Sequence, residues 1–226
     1  MDRTAVITGG TGGLGAAVTA AFLEAGHRVV VPWYAESELD RVDRRERLEL
    51  VQADLTDPAS VAEVARVAGP SVRSVVNLVG GFAAPGRVHE VDIEAFESQL
   101  RLNLRPTYLV CHAALPALLD AGEGSIVCVS SRAALRPFPG AAGYVTAKAG
   151  VRAFVGALHA EYGEAGIRAN AVEPDLIDTP VNRREMPGAV DRMVAPVRIA
   201  RTILALCDPA VTGATAGAVI PVYGRA

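Results

Sequence analysis

The sequence has one lysine. It carries 22 basic residues of the Lys and Arg types, and all but Lys148 are arginine. Arginine serves as well as lysine for a solvated charge, so the exception marks a position that needs a compact ammonium group. Cysteine is scarce too: Cys111, Cys128 and Cys207 lie far apart in apolar surroundings. That excludes a disulfide framework and any CxxC motif, and leaves the three as small buried hydrophobes of a reducing cytoplasm. The four histidines, His27, His89, His112 and His159, show no metal-ligand spacing, so no metal site is expected. No apolar run reaches the ~18 residues of a membrane helix, and MDRTAVITGG has no apolar signal region. The expectation is a cytoplasmic protein with no membrane partner. A net charge of −3 offers no basic surplus for nucleic acid.

What is present is an alternation of strand-like and helix-like segments. Thr4–Ile7 is a β-branched run that stops at glycine, and Gly15–Ala25 has helical spacing. Strands are expected at Arg28–Val31, Leu48–Val51, Val72–Val76, Ser125–Val129, Arg168–Val172 and Ala218–Val222. Helices are expected at Pro58–Val67, Ile93–Leu119 with an interruption at Pro106, Tyr144–Gly163 and Ile199–Leu206. This order predicts an α/β fold with a doubly wound, mostly parallel sheet of about seven strands, helices on both faces, and a single domain over residues 1–226. The irregular stretch Pro174–Pro196 is expected to cover a site.

Between the first strand and first helix stands Thr8-Gly9-Gly10-Thr11-Gly12-Gly13-Leu14-Gly15. It fits both GxGxxG and TGxxxGxG. Glycine allows a tight turn and close approach of backbone to phosphate, and the helix N-terminus attracts a pyrophosphate. The position makes this a dinucleotide signal. At the end of the second strand, where an acid would hold the ribose hydroxyls of NAD, stand Trp33 and Tyr34, with Glu36 slightly late. The missing acid leaves NAD(P)H as the cofactor, with NADP slightly favoured. Arg41, Arg44 and Arg45 follow, and solvation accounts for them.

Lys148 lies four residues after Tyr144, so on a helix the two share a face. A nearby cation favours the phenolate, which predicts a lowered Tyr144 pKa and a usable acid or base. Ser131 follows the Ser125–Val129 strand, at the sheet edge where ligands bind, and Ser130 competes with it for that role. Asn103 sits in an apolar helical stretch, and a buried amide there must find partners.

Together these residues resemble the classical short-chain dehydrogenase/reductase family over essentially the whole chain. The matching pieces are Thr8-Gly9-x-x-x-Gly13-x-Gly15, Asp54, Asn103, Ser131, Tyr144-x-x-x-Lys148 and Pro174-x-x-Ile177-x-Thr179-Pro180. The resemblance implies that Tyr144 passes a proton to a carbonyl oxygen that Ser131 polarises. It implies that Lys148 binds the nicotinamide ribose and that Asn103 holds a water in a relay through Lys148. Asp54 is expected at the adenine with Leu55 beside it. Asn77 and Gly80 are expected along the cofactor, with Pro174, Ile177 and Thr179 toward the nicotinamide. Thr11 and Leu14 complete the phosphate loop. The family implies a homotetramer or homodimer, paired through the helices of Asn103 and Tyr144. The chain departs from the family pattern at Asn77-Leu78-Val79-Gly80-Gly81 and at Asp175, where glycine is usual.

The expected activity is hydride transfer between a nicotinamide cofactor and a small carbonyl or alcohol. Two alternatives are an inactive dinucleotide-binding sensor or scaffold and a C=N reductase of the dihydropterin type. Gly81, Phe82, Arg132, Phe138 and Asp175 are the expected pocket neighbours.

Overall fold

β-Branched runs bounded by glycine or proline form seven strands: β1 (Thr4–Thr8), β2 (Arg28–Trp33), β3 (Leu48–Gln52), β4 (Val72–Asn77), β5 (Gly124–Val129), β6 (Ile167–Pro174) and β7 (Val219–Val222). The computed structural model describes residues 3–43 and 45–224; Arg44 lies outside the described residues. The strands form one sheet in the order β3-β2-β1-β4-β5-β6-β7, and every neighbouring pair is parallel. The order reverses between β1 and β4, which opens a crevice at the carboxyl edge of the sheet.

Eight α-helices connect the strands among the described residues: α1 (Gly15–Glu24), α2 (Pro58–Ala68), α3 (Ile93–Asn103), α4 (Arg105–Ala121), α5 (Ala142–Tyr162), α6 (Pro180–Glu185), α7 (Pro196–Cys207) and α8 (Pro209–Thr212). Consecutive strand residues point to opposite faces. Val6, Val75 and Ile126 therefore join a core under α2, α4 and α5, while Ile7, Val76 and Val127 join one under α1 and α7. Both faces are buried, which explains why the strands read as continuous apolar runs.

The stretch expected as one interrupted helix is two. Leu104, with φ −115° and ψ −46°, ends α3 and begins α4, and Pro106 lies in the first turn of α4. Pro106 has no N–H to give the carbonyl four residues back and its ring crowds that carbonyl, so one helix cannot run through it, whereas the first turn of a new helix accepts it. Asn103 is thus the last residue of α3, at a bend, rather than in mid-helix. The Pro174–Pro196 stretch is also more ordered than its composition suggests. It holds α6, a 3-10 turn at Pro187–Arg192, and a bridge between Ile177 and Val194.

Candidate active site

The glycine loop turns directly after β1. Gly9 has φ +66°, a conformation that favours glycine. A Cβ on Gly15 would lie 1.8 Å from the Gly9 carbonyl oxygen, so the first turn of α1 packs against the loop with no room for a side chain. A Cβ on Gly13 would lie 2.8 Å from Thr179 Cγ2. No side chain caps α1, and no acidic residue stands in its first turn. That combination suits a bound pyrophosphate, because the helix end is left to an external anion.

From this loop a cleft of about 770 Å³ runs along the sheet edge. Gly9, Thr11, Gly13, Leu14 and Gly15 form its floor. Trp33, Tyr34, Asp54 and Leu55 line one end, and Gly80, Ser131, Tyr144, Lys148, Pro174 and Ile177 line the other. A dinucleotide fits a cradle of this shape and composition. The Asp54 carboxylate accepts from the Thr56 N–H and hydroxyl, both at 2.8 Å, which fixes its orientation.

Four expected site residues stand behind the wall of the cleft. The Thr8 hydroxyl accepts from the Leu78 N–H at 3.2 Å and ties β1 to the loop after β4. The Asn77 amide points into the core toward the sulfurs of Cys111 and Cys128, at 3.3 and 3.7 Å. Thr179 caps α6 by accepting from the Asn182 N–H at 3.2 Å. Asn103, fully buried, accepts from the Gly81 N–H at 3.1 Å and donates to the Gly81 carbonyl at 3.0 Å. Its amide is therefore committed to holding the Gly80–Gly81 loop. A Cβ on Gly80 would meet Asn103 Oδ1 at 2.5 Å and Lys148 Nζ at 3.0 Å, which explains a glycine in that place.

β5 and α5 deliver the polar group at the other end. Ser130 and Ser131 follow β5, but only one is free for chemistry. The Ser130 hydroxyl donates to the Lys148 carbonyl at 2.9 Å and anchors α5. Ser131 caps the 3-10 turn Arg132–Ala134, accepting from the Ala133 N–H at 3.2 Å, and lies near enough to Tyr144 to act on its pKa. Burial raises the Tyr144 pKa, and the nearby Ser131 hydroxyl offsets only part of that rise. The lowered Tyr144 pKa expected from Lys148 is corrected: in the free protein burial outweighs the lowering, and the Lys148 ammonium donates to the Val129 carbonyl at 3.0 Å. Burial lowers the Lys148 pKa to about 8. The Phe82 ring meets the Tyr144 ring edge-on, with centroids 5.2 Å apart, and Phe138 lies 6.0 Å beyond Phe82.

Residues 3–189 match the family model of the short chain dehydrogenases. The chain belongs to the short-chain dehydrogenase/reductase family. It is 32% identical over 215 residues to the 2-(R)-hydroxypropyl-CoM dehydrogenase of Xanthobacter autotrophicus, covering 87% of this chain and 84% of that protein. It is 29% identical over 204 residues to a 2,5-dichloro-2,5-cyclohexadiene-1,4-diol dehydrogenase of Sphingobium indicum, covering 86% of this chain and 81% of that one. Among solved structures, an oxidoreductase of the short-chain dehydrogenase/reductase family from Burkholderia thailandensis superposes with a TM-score of 0.88 at 29% identity, over 98% of this chain and 91% of that one. This chain is therefore an oxidoreductase that works with a nicotinamide cofactor on small molecules.

A charged lining residue escaped sequence reasoning. Glu38, in the 3-10 turn Glu36–Arg41, accepts from the Thr11 hydroxyl at 2.8 Å and faces the cleft beside Trp33 and Tyr34. The sequence signal was present, since Ala35 and Glu38 have the spacing by which a side chain reaches back to a cap N–H, here at 3.4 Å. Of the expected pocket neighbours, Gly81, Phe82 and Asp175 line the cleft. Arg132 instead pairs with Asp175 at 2.5 Å, and Phe138 backs Phe82. Ile177 and Asn182 bring the Pro174–Pro196 stretch onto the cleft. Among the described residues no group of side chains could hold a metal, and no helix is long and apolar enough to cross a membrane.

Proposed function

We propose that this enzyme interconverts a small carbonyl compound and its alcohol, with Tyr144 as the acid and base. The observation that carries this reading is that Ser131, Tyr144 and Lys148 line the same end of the cleft, opposite Trp33. A bound nicotinamide ring supplies or takes the hydride. The protein manages the oxygen. Ser131 and Tyr144 present two hydroxyls toward one point, where a carbonyl oxygen gains negative charge; donors fixed in advance lower that barrier. Tyr144 gives up its proton there, and the buried Lys148 ammonium, on the same face of α5, favours the phenolate that forms. Phe82 gives the substrate an apolar wall beside Tyr144.

Glu38 supports NAD over NADP, against the preference inferred from Trp33 and Tyr34. Its carboxylate faces the end of the cleft where the adenosine ribose belongs. There it accepts hydrogen bonds from hydroxyls and repels a 2′-phosphate. The exposed Tyr108 ring, stacked on His112 at 5.9 Å and packed on Phe154 at 5.8 Å, supports self-association through α4 and α5 as a homodimer or homotetramer. The test is a titration of wild type and Tyr144→Phe with NADH and NADPH, read by energy transfer from Trp33, beside turnover on a ketone panel. Tight NADH binding by both proteins with turnover by wild type alone is the expected result. Equal turnover by both removes Tyr144 from its role.

A further inference from the structure

Glu173 is a fully buried carboxylate that the proposed chemistry does not use. It lies on β6, two residues before Asp175 enters the cleft. Its two oxygens go to different parts of the molecule. Oε2 accepts from Arg152 Nη1 at 2.5 Å. Arg152 is on α5, four residues after Lys148 and eight after Tyr144, so the three share one helix face. Oε1 accepts from the Tyr223 hydroxyl at 2.5 Å, just beyond β7. The Tyr223 ring carries the Arg132 guanidinium 4.8 Å from its centroid, and the far side of that guanidinium pairs with Asp175. Arg132 directly follows Ser131 and opens the turn that Ser131 caps.

We propose that Glu173 is a positioning residue: one oxygen fixes the helix of Tyr144 and Lys148, and the other, through Tyr223 and Arg132, fixes Ser131. A buried carboxylate is costly unless each oxygen is paired, and the pairing here is complete. The same pairs make the link stiff, because charge-assisted hydrogen bonds hold tighter distances than neutral ones. A cation over an aromatic face adds a contact that tolerates little tilt. Ser131 and Tyr144 come from different elements, so their separation depends on how the β5 exit sits against α5. Backbone pairing within the sheet does not set that distance. The Ser130 and Lys148 hydrogen bonds between the β5 exit and α5 hold it on one side, and the chain through Glu173 holds it on the other.

The inference rests on the reading of Ser131 and Tyr144 as partners, and the experiment separates the two. The chain has five tyrosines, so tyrosine labelled with carbon-13 at Cζ gives five signals that single Tyr→Phe variants assign. The Tyr144 titration midpoint is followed in the wild type, Ser131→Ala, Tyr223→Phe and Glu173→Gln, with melting temperature and NADH affinity beside it. Ser131→Ala is expected to raise the midpoint. Tyr223→Phe keeps the ring under Arg132 and removes only the hydroxyl; it is expected to raise the midpoint as well, with NADH affinity unchanged. Glu173→Gln is expected to do the same and to lower the melting temperature. A bond with only a structural role would move the melting temperature and leave the Tyr144 midpoint at the wild-type value. If Ser131→Ala raises the midpoint and Tyr223→Phe does not, the positioning role is wrong and the site reading stands. If Ser131→Ala leaves it unmoved, both fall.

Discussion

The Lys148 ammonium donates to the Val129 carbonyl oxygen at 3.0 Å, at the end of the strand that delivers Ser131. Lys148 is 5% exposed, and burial lowers its pKa from 10.5 to about 8. The unfolded chain therefore binds this proton more tightly than the folded one, and stability rises with pH between those two values. The gap corresponds to up to about 3 kcal/mol of unfavourable burial at pH 7. Lys148→Met, which keeps the stem and drops the charge, is expected to be at least as stable as wild type at pH 7. Its advantage shrinks as pH rises from about 8 toward 10.5. Turnover is expected to fall by roughly 10²-fold or more with the loss of the cation beside Tyr144. Urea denaturation at pH 7 and pH 10 checks the first point. An advantage that stays constant across that range would contradict a Lys148 pKa lowered by burial.

Ser130 and Ser131 make a pair whose variants should exchange phenotypes. The Ser130 hydroxyl is buried and donates to the Lys148 carbonyl, which also has its partner within α5, so Ser130→Ala removes one anchoring hydrogen bond at a cost of about 1 kcal/mol. It removes no group from the reacting oxygen, and kcat is expected to hold within a few-fold. Ser131→Ala removes a donor at that oxygen and is expected to lower kcat by roughly 10²–10³-fold, with little change in melting temperature. Melting curves and kcat on one substrate decide it. A Ser131→Ala enzyme with wild-type kcat would transfer the polarising role elsewhere.

Much of this was legible in the sequence because local pattern and tertiary role coincide. The strand runs are apolar on both faces, and the glycine loop sits where a turn must approach phosphate. Tyr144 and Lys148 share a helix face whatever surrounds them. The places where reading fell short depend on geometry between distant segments. Asn77 looks like a cleft residue from its position at a strand end, yet the pleat turns it inward to Cys111 and Cys128. Ser130 and Ser131 are equivalent in sequence, and only the packing of α5 separates them. Glu38 was hidden because it depends on a 3-10 turn that brings it back to Thr11, 27 residues away along the chain.

That Glu38 to Thr11 contact predicts a change of cofactor preference. Glu38→Gln keeps the hydrogen-bonding shape and removes the charge. The ratio of NADPH to NADH affinity is expected to move toward NADPH by roughly tenfold, the effect of about 1.4 kcal/mol. The shift should shrink at high salt, since the repulsion acts at a partly solvated edge. Titration by Trp33 energy transfer at low and high salt measures it. An unchanged ratio would mean that the carboxylate only latches the loop.

The glycine loop offers a last test in which two similar substitutions diverge. A Cβ on Gly15 would lie 1.8 Å from the Gly9 carbonyl oxygen, whereas a Cβ on Gly12 meets that same atom at 3.3 Å. The first contact forces backbone apart; the second needs a shift of a few tenths of an ångström. Gly15→Ala must either displace the first turn of α1 or open the loop, and either motion moves the N–H groups that a pyrophosphate requires. NADH affinity is expected to fall by roughly tenfold or more, the loss of about one charge-assisted hydrogen bond. Gly12→Ala is expected to keep affinity within a few-fold. Both belong to the same glycine-rich run, so a count of glycines predicts equal effects, while the steric argument predicts an ordered pair. Equal affinities for the two variants would show that the loop has slack the packing of α1 does not suggest.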